Sequence, residues 1–491
     1  MAYKSLISKK VLRCRIVDNK TFSTSTKQLT ATDTDAACSS RVDFKLRRKR
    51  VFDRFRSERK YPGHRHEATS TISDIAIFPG ATQLYSTVDV PFRFRQNTDL
   101  RYLAGVEVPD TVLVMSGNVE YPDSYNSVLF VPVKTAKQEL WEGIGQTANA
   151  IANIARVDQI LDLKELSTFL ESLAKSMPSQ SSVVWYHSTT TQKTGMVRND
   201  IADIVADFIH DFGPSHVDSP NLHVQRERWL KSSYEIEQMR KSCSVLTRAL
   251  SATIRRAPAY SAEHIVAARL NFEATLRGAD CFAFAPVVAA GNRANTIHHL
   301  EGRGKIGQAD MILLDCGIEY NGYVSDVTRC WAANGKFSLI QRLLYEILLD
   351  IQTRLIHELE TRRPVSIQDL NASMYEMLGA ALQDINVLPK TLSHQQATEA
   401  AKKYCPHSVG HYLGMDCHDT PLLSTSLPLE QNVIITVEPG LYLKESDPDV
   451  PEEFRGIGLR IEDDVLITES GVEILSNECP KDVDGLESLI L

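Results

Sequence analysis

Four acidic residues lie within or at the ends of apolar segments in the second half of this sequence. Asp315 and Glu438 each close a run of aliphatic residues. Asp326 follows Asp315 after eleven positions, and Glu462 lies inside a further apolar segment. Buried strands normally exclude acids, because an uncompensated charge in an apolar interior is costly. The pattern therefore predicts a cluster of carboxylates that bound cations neutralise.

Three histidines between positions 407 and 419 add nitrogen donors to these acids. Four carboxylates and one imidazole match the ligands of two divalent ions, with two carboxylates bridging the pair. Hard oxygen ligands with one histidine favour Mn²⁺, leave Co²⁺ or Zn²⁺ as alternatives, and disfavour copper or an iron–sulfur cluster. Two such ions about 3.5–4 Å apart bind a hydroxide and polarise a carbonyl. These residue types therefore predict hydrolytic chemistry.

The apolar runs around the acids predict the strands that position them, over 311–315, 323–329, 433–438 and 459–467. A short turn between the first two strands would bring Asp315 and Asp326 to one site. Ser232 and Glu235 form a capping box that predicts a helix to about residue 256, and further helices are predicted over 262–277 and 338–360. The last helix carries an aliphatic stripe that we predict to face the core: Leu339, Leu343, Ile347, Ile351, Leu355 and Leu359.

The first half of the chain alternates strand-like and helical segments between residues 72 and 220, which is typical of an α/β domain. The predicted strands are 75–78, 112–115, 128–133 and 183–186, and the predicted helices are 161–175 and 200–212. Gly, Pro and Asn residues near 213–226 indicate a linker. We therefore predict an α+β protein with a leader at 1–40, an N-terminal α/β domain at 41–215, a linker at 216–232, a catalytic domain at 233–480 and a tail at 481–491.

The composition disfavours several classes of protein. The chain has 54 Lys and Arg against 62 Asp and Glu, and its net charge of −8 does not favour a nucleic-acid-binding protein. No stretch reaches the roughly 18 apolar residues that a transmembrane helix needs. Nine scattered cysteines without a C-x-x-C pair disfavour a disulfide framework or a structural zinc site.

The start of the chain is strongly basic, in contrast to the rest. Residues 1–60 contain 17 Lys and Arg but only six Asp and Glu. Asp18 is the only acid before residue 33, and Ser and Thr are dense over 21–40. This pattern predicts a mitochondrial transit peptide, and a matrix location, with the cytoplasm as the alternative. A basic tail without a targeting role is the other interpretation, and the cluster at 47–50 fits either a nuclear signal or the solvated face of a helix.

Longer motifs surround the acids and histidines. Asp315 and Asp326 lie in Leu314-Asp315-x-Gly317 and Gly322-Tyr323-x-Ser325-Asp326-x-Thr328-Arg329. The remaining segments are Gly410-His411-Tyr412-Leu413-Gly414-x-Asp416-x-His418-Asp419, Thr436-Val437-Glu438-Pro439-Gly440 and Arg460-Ile461-Glu462-Asp463. In this order they resemble the pita-bread metallopeptidases, which include methionine aminopeptidases, prolidases and aminopeptidase P. Residues 94–105 resemble the N-terminal domain of the aminopeptidase P type, and 291–298, 403–407 and 454–458 resemble its eukaryotic mitochondrial, intermediate-cleaving branch.

The resemblance implies a C-terminal domain of the pita-bread fold and assigns roles to individual residues. It implies two divalent ions bound by Asp315, Asp326, His411, Glu438 and Glu462, with Asp326 and Glu462 bridging. Glu438 is the expected proton shuttle, His418 the expected donor to the scissile carbonyl or oxyanion, and His298 a second active-site histidine. His407 and Phe284 are expected to line the substrate pocket, and Arg460 to orient carboxylates and contact the substrate side of the site. Phe284 and His299 replace tyrosines that are usual in this branch.

The resemblance further implies an aminopeptidase that removes one N-terminal residue from peptides or proteins, favours Pro in second place, and trims imported mitochondrial proteins. Proline lacks an amide N–H and fixes φ, so such bonds need a dedicated pocket. A prolidase restricted to Xaa-Pro dipeptides is the alternative hydrolase, and a non-catalytic binding protein on the same fold is the alternative from another class. The N-terminal domain of the family implies a homodimer.

Overall fold

The computed structural model of the protein describes residues 42–58, 73–117, 125–177, 182–187, 197–214 and 216–490. The predicted leader at 1–40 lies outside the described residues. The helices are α1 Phe44–Glu58, α2 Thr98–Ala104, α3 Ala136–Glu142, α4 Ala148–Ala155, α5 Leu166–Ser176, α6 Asn199–Phe212, α7 Asn221–Trp229, α8 Ser233–Ile254, α9 Glu263–Leu276, α10 Leu339–Thr361, α11 Ile367–Asp384, α12 His394–Ala401 and α13 Val483–Leu489.

The strands follow the same order along the chain. They are β1 Asp74–Pro79, β2 Tyr85–Thr87, β3 Val90–Pro91, β4 Val112–Gly117, β5 Asn126–Val131, β6 Gln159–Asp162, β7 Val183–Tyr186, β8 His216–Asp218, β9 Cys281–Phe282, β10 Val287–Ala290, β11 Met311–Cys316, β12 Ile318–Tyr320, β13 Tyr323–Val324, β14 Val327–Ala332, β15 Ile434–Val437, β16 Gly440–Leu443, β17 Ile457–Arg460, β18 Asp463–Ile467 and β19 Val472–Ile474.

The N-terminal sheet has six strands in the order β6-β5-β4-β1-β7-β8. Its central strand, β1, is antiparallel to β4 and parallel to β7. Because side chains alternate along a strand, Ile75 and Ile77 face one apolar core while Ala76 and Phe78 face another. Helices α5 and α6 contribute to the first core, and α1 and α2 to the second. Burial on both faces explains why β1 is a continuous apolar run in the sequence.

The segment 216–232, which the sequence analysis assigned to a linker, is instead largely regular structure. Strand β8 pairs in parallel with β7 and forms the edge of the N-terminal sheet. Helix α7 packs against α1 and α2. Gly213 has a positive φ of 55° and caps α6, while Pro220 precedes α7. The Gly and Pro residues therefore mark the ends of short elements rather than an irregular connection.

Small antiparallel sheets surrounded by helices form the C-terminal half. Strand β11 lies between β10 and β14, β18 lies between β15 and β19, and β16 pairs with β17. Helix α8 packs on β12 and β13, and α10 packs on β15 and β17. The predicted capping box is present, since Ser232 N–H donates to Glu235 Oε2 at 2.9 Å and the Ser232 hydroxyl accepts from Glu235 N–H. It starts α8 at the expected residue.

Helix α10 begins and ends within one residue of the predicted bounds, 338 and 360, but its buried face differs from the predicted one. Leu339 is 89% exposed and Leu343 is 42% exposed, whereas Leu355 and Leu359 are buried as expected. A repeat of four residues advances about 40° beyond a full turn at every step, so six positions cannot all share one face. The buried face instead follows mixed steps of three and four residues: Leu344, Leu348, Ile351, Leu355 and Leu359.

This correction predicts opposite outcomes for two leucines on one helix. We expect Leu344→Ala to lower the free energy of unfolding by about 2–5 kcal/mol, because it opens a cavity in the core. The matched substitution Leu339→Ala is expected to change it by less than about 0.5 kcal/mol, because that side chain is solvated. Equilibrium denaturant unfolding measures both, and equal destabilisation by the two variants would contradict the buried face described here.

Candidate metal centre

Breaks in two strands and the end of a third place three of the four predicted acids. The predicted strands 323–329 and 459–467 are each interrupted. Asp326 lies in the gap between β13 and β14, and Glu462 lies in the gap between β17 and β18. Glu438 follows the last residue of β15, and Asp315 lies within β11 opposite Thr328 of β14. The interruptions turn acidic side chains out of the sheets and toward one cavity.

That cavity has a volume of about 710 Å³ and lies in the C-terminal half. All ten site residues predicted from the sequence line it: Phe284, His298, Asp315, Asp326, His407, His411, His418, Glu438, Arg460 and Glu462. The wall also contains residues that the sequence analysis did not single out: Ala285, Val287, Ile297, Leu300, Ser408, Gly410 and Cys417. Segments distant in the chain thus converge on a single site, as predicted.

Three of the five predicted metal ligands are close enough to share one ion. Ligand atoms of Asp326, His411 and Glu462 all lie within 4.8 Å of one another. His411 Nε2 is 3.6 Å from Asp326 Oδ2 and 3.5 Å from Glu438 Oε1. His411 Nδ1 lies 3.1 Å from the Tyr412 carbonyl oxygen, which only accepts, so Nδ1 carries the proton. Nε2 is therefore the nitrogen available to a metal ion.

The electrostatics of this cluster fit bound divalent cations. Burial, together with the nearby carboxylates of Asp326 and Glu438, raises the pKa of Asp315 to about 7. Burial and the same neighbours raise the pKa of Glu462 well above its usual range. Asp326 Oδ1 is buried and has no hydrogen-bond partner among the described residues. Carboxylates that repel one another this strongly, with an unpartnered oxygen between them, are the environment that positive ions relieve.

Arg460 holds two of the carboxylates in place. Its Nη2 donates to Asp315 Oδ2 at 2.6 Å, and its Nε donates to Thr328 Oγ1 at 3.1 Å. The Thr328 hydroxyl in turn donates to Glu462 Oε2 at 2.6 Å. Arg460 is 3% exposed, so these bonds are formed away from water. The predicted role of Arg460 in orienting carboxylates agrees with this geometry.

His407 is fixed by a tyrosine that the sequence analysis missed. Its Nδ1 donates to the Ser408 carbonyl oxygen at 2.8 Å, which leaves Nε2 as an acceptor. The Tyr442 hydroxyl lies 2.9 Å from that Nε2 and accepts from Arg460 Nη1 at 2.7 Å. Tyr442 therefore links the pocket histidine to the arginine of the carboxylate cluster. Tyr442 lies in strand β16, two residues after Gly440, and nothing in its sequence context marks it as part of the site.

Two histidines differ in spite of being neighbours in the chain. His298 lines the cavity, whereas His299 is buried outside the cavity wall, with its Nε2 3.1 Å from the carboxylate of Glu263.

The imidazole ring of His418 lies 4.3 Å from that of His411, measured between centroids. Burial, together with His411, lowers the pKa of His418. His418 is therefore neutral near pH 7 and retains one N–H with which to donate.

Arg228 anchors the loop that carries His418. Its guanidinium donates to Asp99 Oδ1 and to Asp416 Oδ2, both at 2.7 Å, and also pairs with Asp419. The Arg228 side chain is only 4% exposed, so the ion pairs are shielded from solvent. Asp416 and Asp419 therefore shape this loop through their ion pairs with Arg228. Through Asp99, the same cluster joins the loop of His418 to helix α2 of the N-terminal domain.

The raised pKa of Asp315 predicts how metal stabilisation depends on pH. In the metal-free fold this pKa is about 7, above the unfolded value of about 3.9, so the metal-free fold loses stability as pH rises between these values. Bound cations favour the ionised carboxylates and remove that loss. We therefore expect the rise in Tm on adding Mn²⁺ to be larger at pH 8 than at pH 6, measured by thermal unfolding.

Asp315→Asn is the matched control for this dependence, because it keeps the shape of the side chain and removes its charge. In this variant the difference between the two pH values should shrink. An equal rise in Tm at both pH values in the unsubstituted protein would contradict the electrostatic description of the site.

Comparisons with known proteins agree with this geometry. Residues 237–469 match the model of metallopeptidase family M24, and residues 44–184 match that of the aminopeptidase P N-terminal domain. Xaa-Pro aminopeptidase 3 of Homo sapiens is 34% identical over 458 residues, which are 92% of this chain and 86% of that protein. The mitochondrial intermediate cleaving peptidase 55 of Arabidopsis thaliana is 33% identical, over 88% of this chain and 82% of that protein.

A solved structure extends the similarity to the fold. Aminopeptidase P from E. coli, with the inhibitor Pro-Leu, superposes with a TM-score of 0.79 at 26% identity, over 92% of this chain and 99% of that one. The predicted fold class and family resemblance are confirmed. No helix among residues 42–490 that the structure describes is both long and apolar enough to cross a membrane. The chain belongs to metallopeptidase family M24, and it is a metal-dependent hydrolase with an aminopeptidase P N-terminal domain ahead of a pita-bread catalytic domain.

Proposed function

We propose that this protein is an aminopeptidase that removes the first residue from peptides and proteins and favours N-termini with Pro in second place. One observation carries the proposal: a carboxylate and imidazole cluster suited to divalent ions faces the same cavity as the two further histidines His298 and His418. The relatives named Xaa-Pro aminopeptidase 3 and intermediate cleaving peptidase 55 support the substrate class.

We propose that Asp315, Asp326, His411, Glu438 and Glu462 would hold the divalent ions. Mn²⁺ is the ion that four carboxylates and one imidazole favour, with Co²⁺ and Zn²⁺ as alternatives. When bound, such ions supply a water nucleophile at neutral pH and polarise the carbonyl that is attacked.

The protein's own side chains supply proton transfer and orientation. Glu438 Oε1 accepts from the Thr436 hydroxyl at 3.3 Å and lies 3.5 Å from His411 Nε2, while Glu438 Oε2 lies 3.9 Å from His407 Nδ1. We assign to Glu438 the proton that leaves the attacking water and later reaches the departing amine. Neutral His418 donates to the oxygen that develops negative charge, and His298 lines the same cavity.

The apolar wall of the cavity is the proposed seat of the substrate side chains and the proline ring. Phe284, Val287, Ile297 and Leu300 form this wall beside the carboxylates. A proline ring buries apolar surface there without needing an acceptor for an amide hydrogen, which it lacks. Phe284 offers a ring face but no hydroxyl, so it contributes packing and no hydrogen bond.

A peptidase assay with matched acid variants tests the assignment. Mn²⁺-loaded protein should release the first residue from Xaa-Pro-Xaa tripeptides, detected by chromatography. Glu438→Gln should lower kcat/KM by at least about 10²-fold, since it removes the proton carrier. Asp350→Asn, which alters an exposed acid on helix α10, should leave kcat/KM unchanged.

The same assay decides between the candidate activities. Faster cleavage of an Xaa-Pro dipeptide than of the tripeptide would indicate a prolidase instead. No release from any of these peptides by the metal-loaded protein would sink the aminopeptidase proposal. Full function in cells of an Asp326→Ala variant would instead favour a non-catalytic binding protein.

We further propose that the protein acts in mitochondria, on imported proteins whose presequences have been removed. The basic, Ser- and Thr-rich residues 1–40 and the mitochondrial relative support this proposal. Profiling protein N-termini in mitochondria with and without this protein should show substrates one residue longer when it is missing. Unchanged mitochondrial N-termini would contradict the proposal.

We propose a homodimer assembled through the N-terminal domain. Apolar side chains of this domain are exposed around the β2–β3 hairpin and on helix α3: Leu84, Val88, Phe92, Leu140 and Trp141. Exposed apolar surface of this kind marks interaction sites. Light scattering in solution measures the mass of the assembly: a dimer has twice the 54.9 kDa of a single chain, and a single-chain mass would contradict the proposal.

A further inference from the structure

Cys417 is a thiol inside the cavity that the proposed mechanism does not use. It lies in the loop between Asp416 and His418 and lines the cavity wall. Its Sγ donates to Asp326 Oδ2 at 3.0 Å. Elsewhere the Cys417 side chain packs against the apolar cluster that contains Leu413 and Met415, which fixes its orientation. The sulfur therefore points at the carboxylate cluster rather than into bulk water.

The thiol has two imidazoles beside it. Ligand atoms of His411, Cys417 and His418 all lie within 4.8 Å of one another. One sulfur and two nitrogens form a softer donor set than carboxylates, and they suit Zn²⁺ or Cd²⁺ better than Mn²⁺. The buried, unpartnered Oδ1 of Asp326 adds a negative charge next to this group. Arg228, which pairs with Asp416 and Asp419, holds the loop on both sides of the thiol.

This soft triad and the carboxylate triad share one residue. His411 belongs both to the group with Asp326 and Glu462 and to the group with Cys417 and His418. Its Nδ1 is occupied by the Tyr412 carbonyl oxygen, so Nε2 is the one nitrogen available to either group. An ion in the soft triad must therefore take His411 away from the carboxylate triad.

We propose that His411, Cys417 and His418 form a subsite for a soft divalent ion such as Zn²⁺ or Cd²⁺, whose occupation inhibits the peptidase. When the ion binds, a metal–sulfur bond forms, the S–H bond breaks, and the proton passes to Asp326 or to water. Binding needs no oxidant or reductant. The inhibition half of the inference rests on the proposed function, whereas the binding half rests only on the three donor side chains.

Cadmium binding tests the subsite without using activity. Full-length protein with Cys417→Ser, Cys417→Val or Cys281→Ser is titrated with Cd²⁺, and the ultraviolet absorption of sulfur-to-cadmium charge transfer is compared with that of the unsubstituted protein. Cys281 is the matched control, because it is partly exposed but lies outside both triads. The valine variant keeps the apolar packing that serine loses, and thermal unfolding verifies that each variant is folded.

We expect both Cys417 variants to lose the tight component of the cadmium absorption, and Cys281→Ser to retain it. Zn²⁺ inhibition of the Mn²⁺-loaded enzyme should weaken by at least about tenfold in Cys417→Val, the scale on which altered metal environments change affinity. Equal cadmium absorption in the folded Cys417 variants and the unsubstituted protein would overturn the subsite. Cadmium absorption that depends on Cys417, in a protein without peptidase activity, would uphold the subsite and reject the proposed function instead.

Discussion

Repulsion between four carboxylates in a shielded cavity is the constraint on which the rest of the C-terminal half depends. Asp315, Asp326, Glu438 and Glu462 stand together where burial weakens the screening by water. Arg460 neutralises one of these charges directly through Asp315 and reaches Glu462 through Thr328. One buried arginine cannot balance four acids, and the pKa values of Asp315 and Glu462 are raised accordingly. The cluster therefore carries an excess of negative charge, which bound divalent cations would neutralise.

The supporting network keeps one acid beside the cluster ionised, although that acid is buried as deeply. Asp463 follows Glu462 directly, yet it accepts from Arg329 Nη2 at 2.8 Å and from Lys481 Nζ at 2.6 Å. Burial opposes its charge, but these two cations lower the pKa of Asp463 below its usual value. Adjacent residues therefore meet opposite electrostatic environments, because Asp463 meets two cations whereas Glu462 meets other carboxylates.

The sequence predicts the site better than it predicts the elements that carry it. Acids at the ends of apolar runs are improbable unless chemistry requires them, so residue type singled out the four acids, whereas Phe284, His298 and Arg460 were predicted through the family resemblance. The breaks at Asp326 and Glu462 were missed, because apolar residues lie on both sides of each break and suggest one strand. Tyr442 and Cys417 were missed because a buried hydroxyl and a small thiol are ordinary core residues in sequence. Only their distances to His407 and Asp326 reveal their place in the site.

The segment 216–232 has a consequence for how the enzyme is built. Its strand completes the N-terminal sheet, its helix packs on α1 and α2, and Arg228 at the end of that helix ties down the loop of His418. Trp229 then meets Tyr412 edge to face, with ring centroids 5.8 Å apart, one residue after His411. Because residues of this segment are in regular structure and contact both halves, the segment is not a flexible linker between independent domains. Replacing the N-terminal half would therefore also remove Asp99 from the Arg228 cluster that holds the loop of His418.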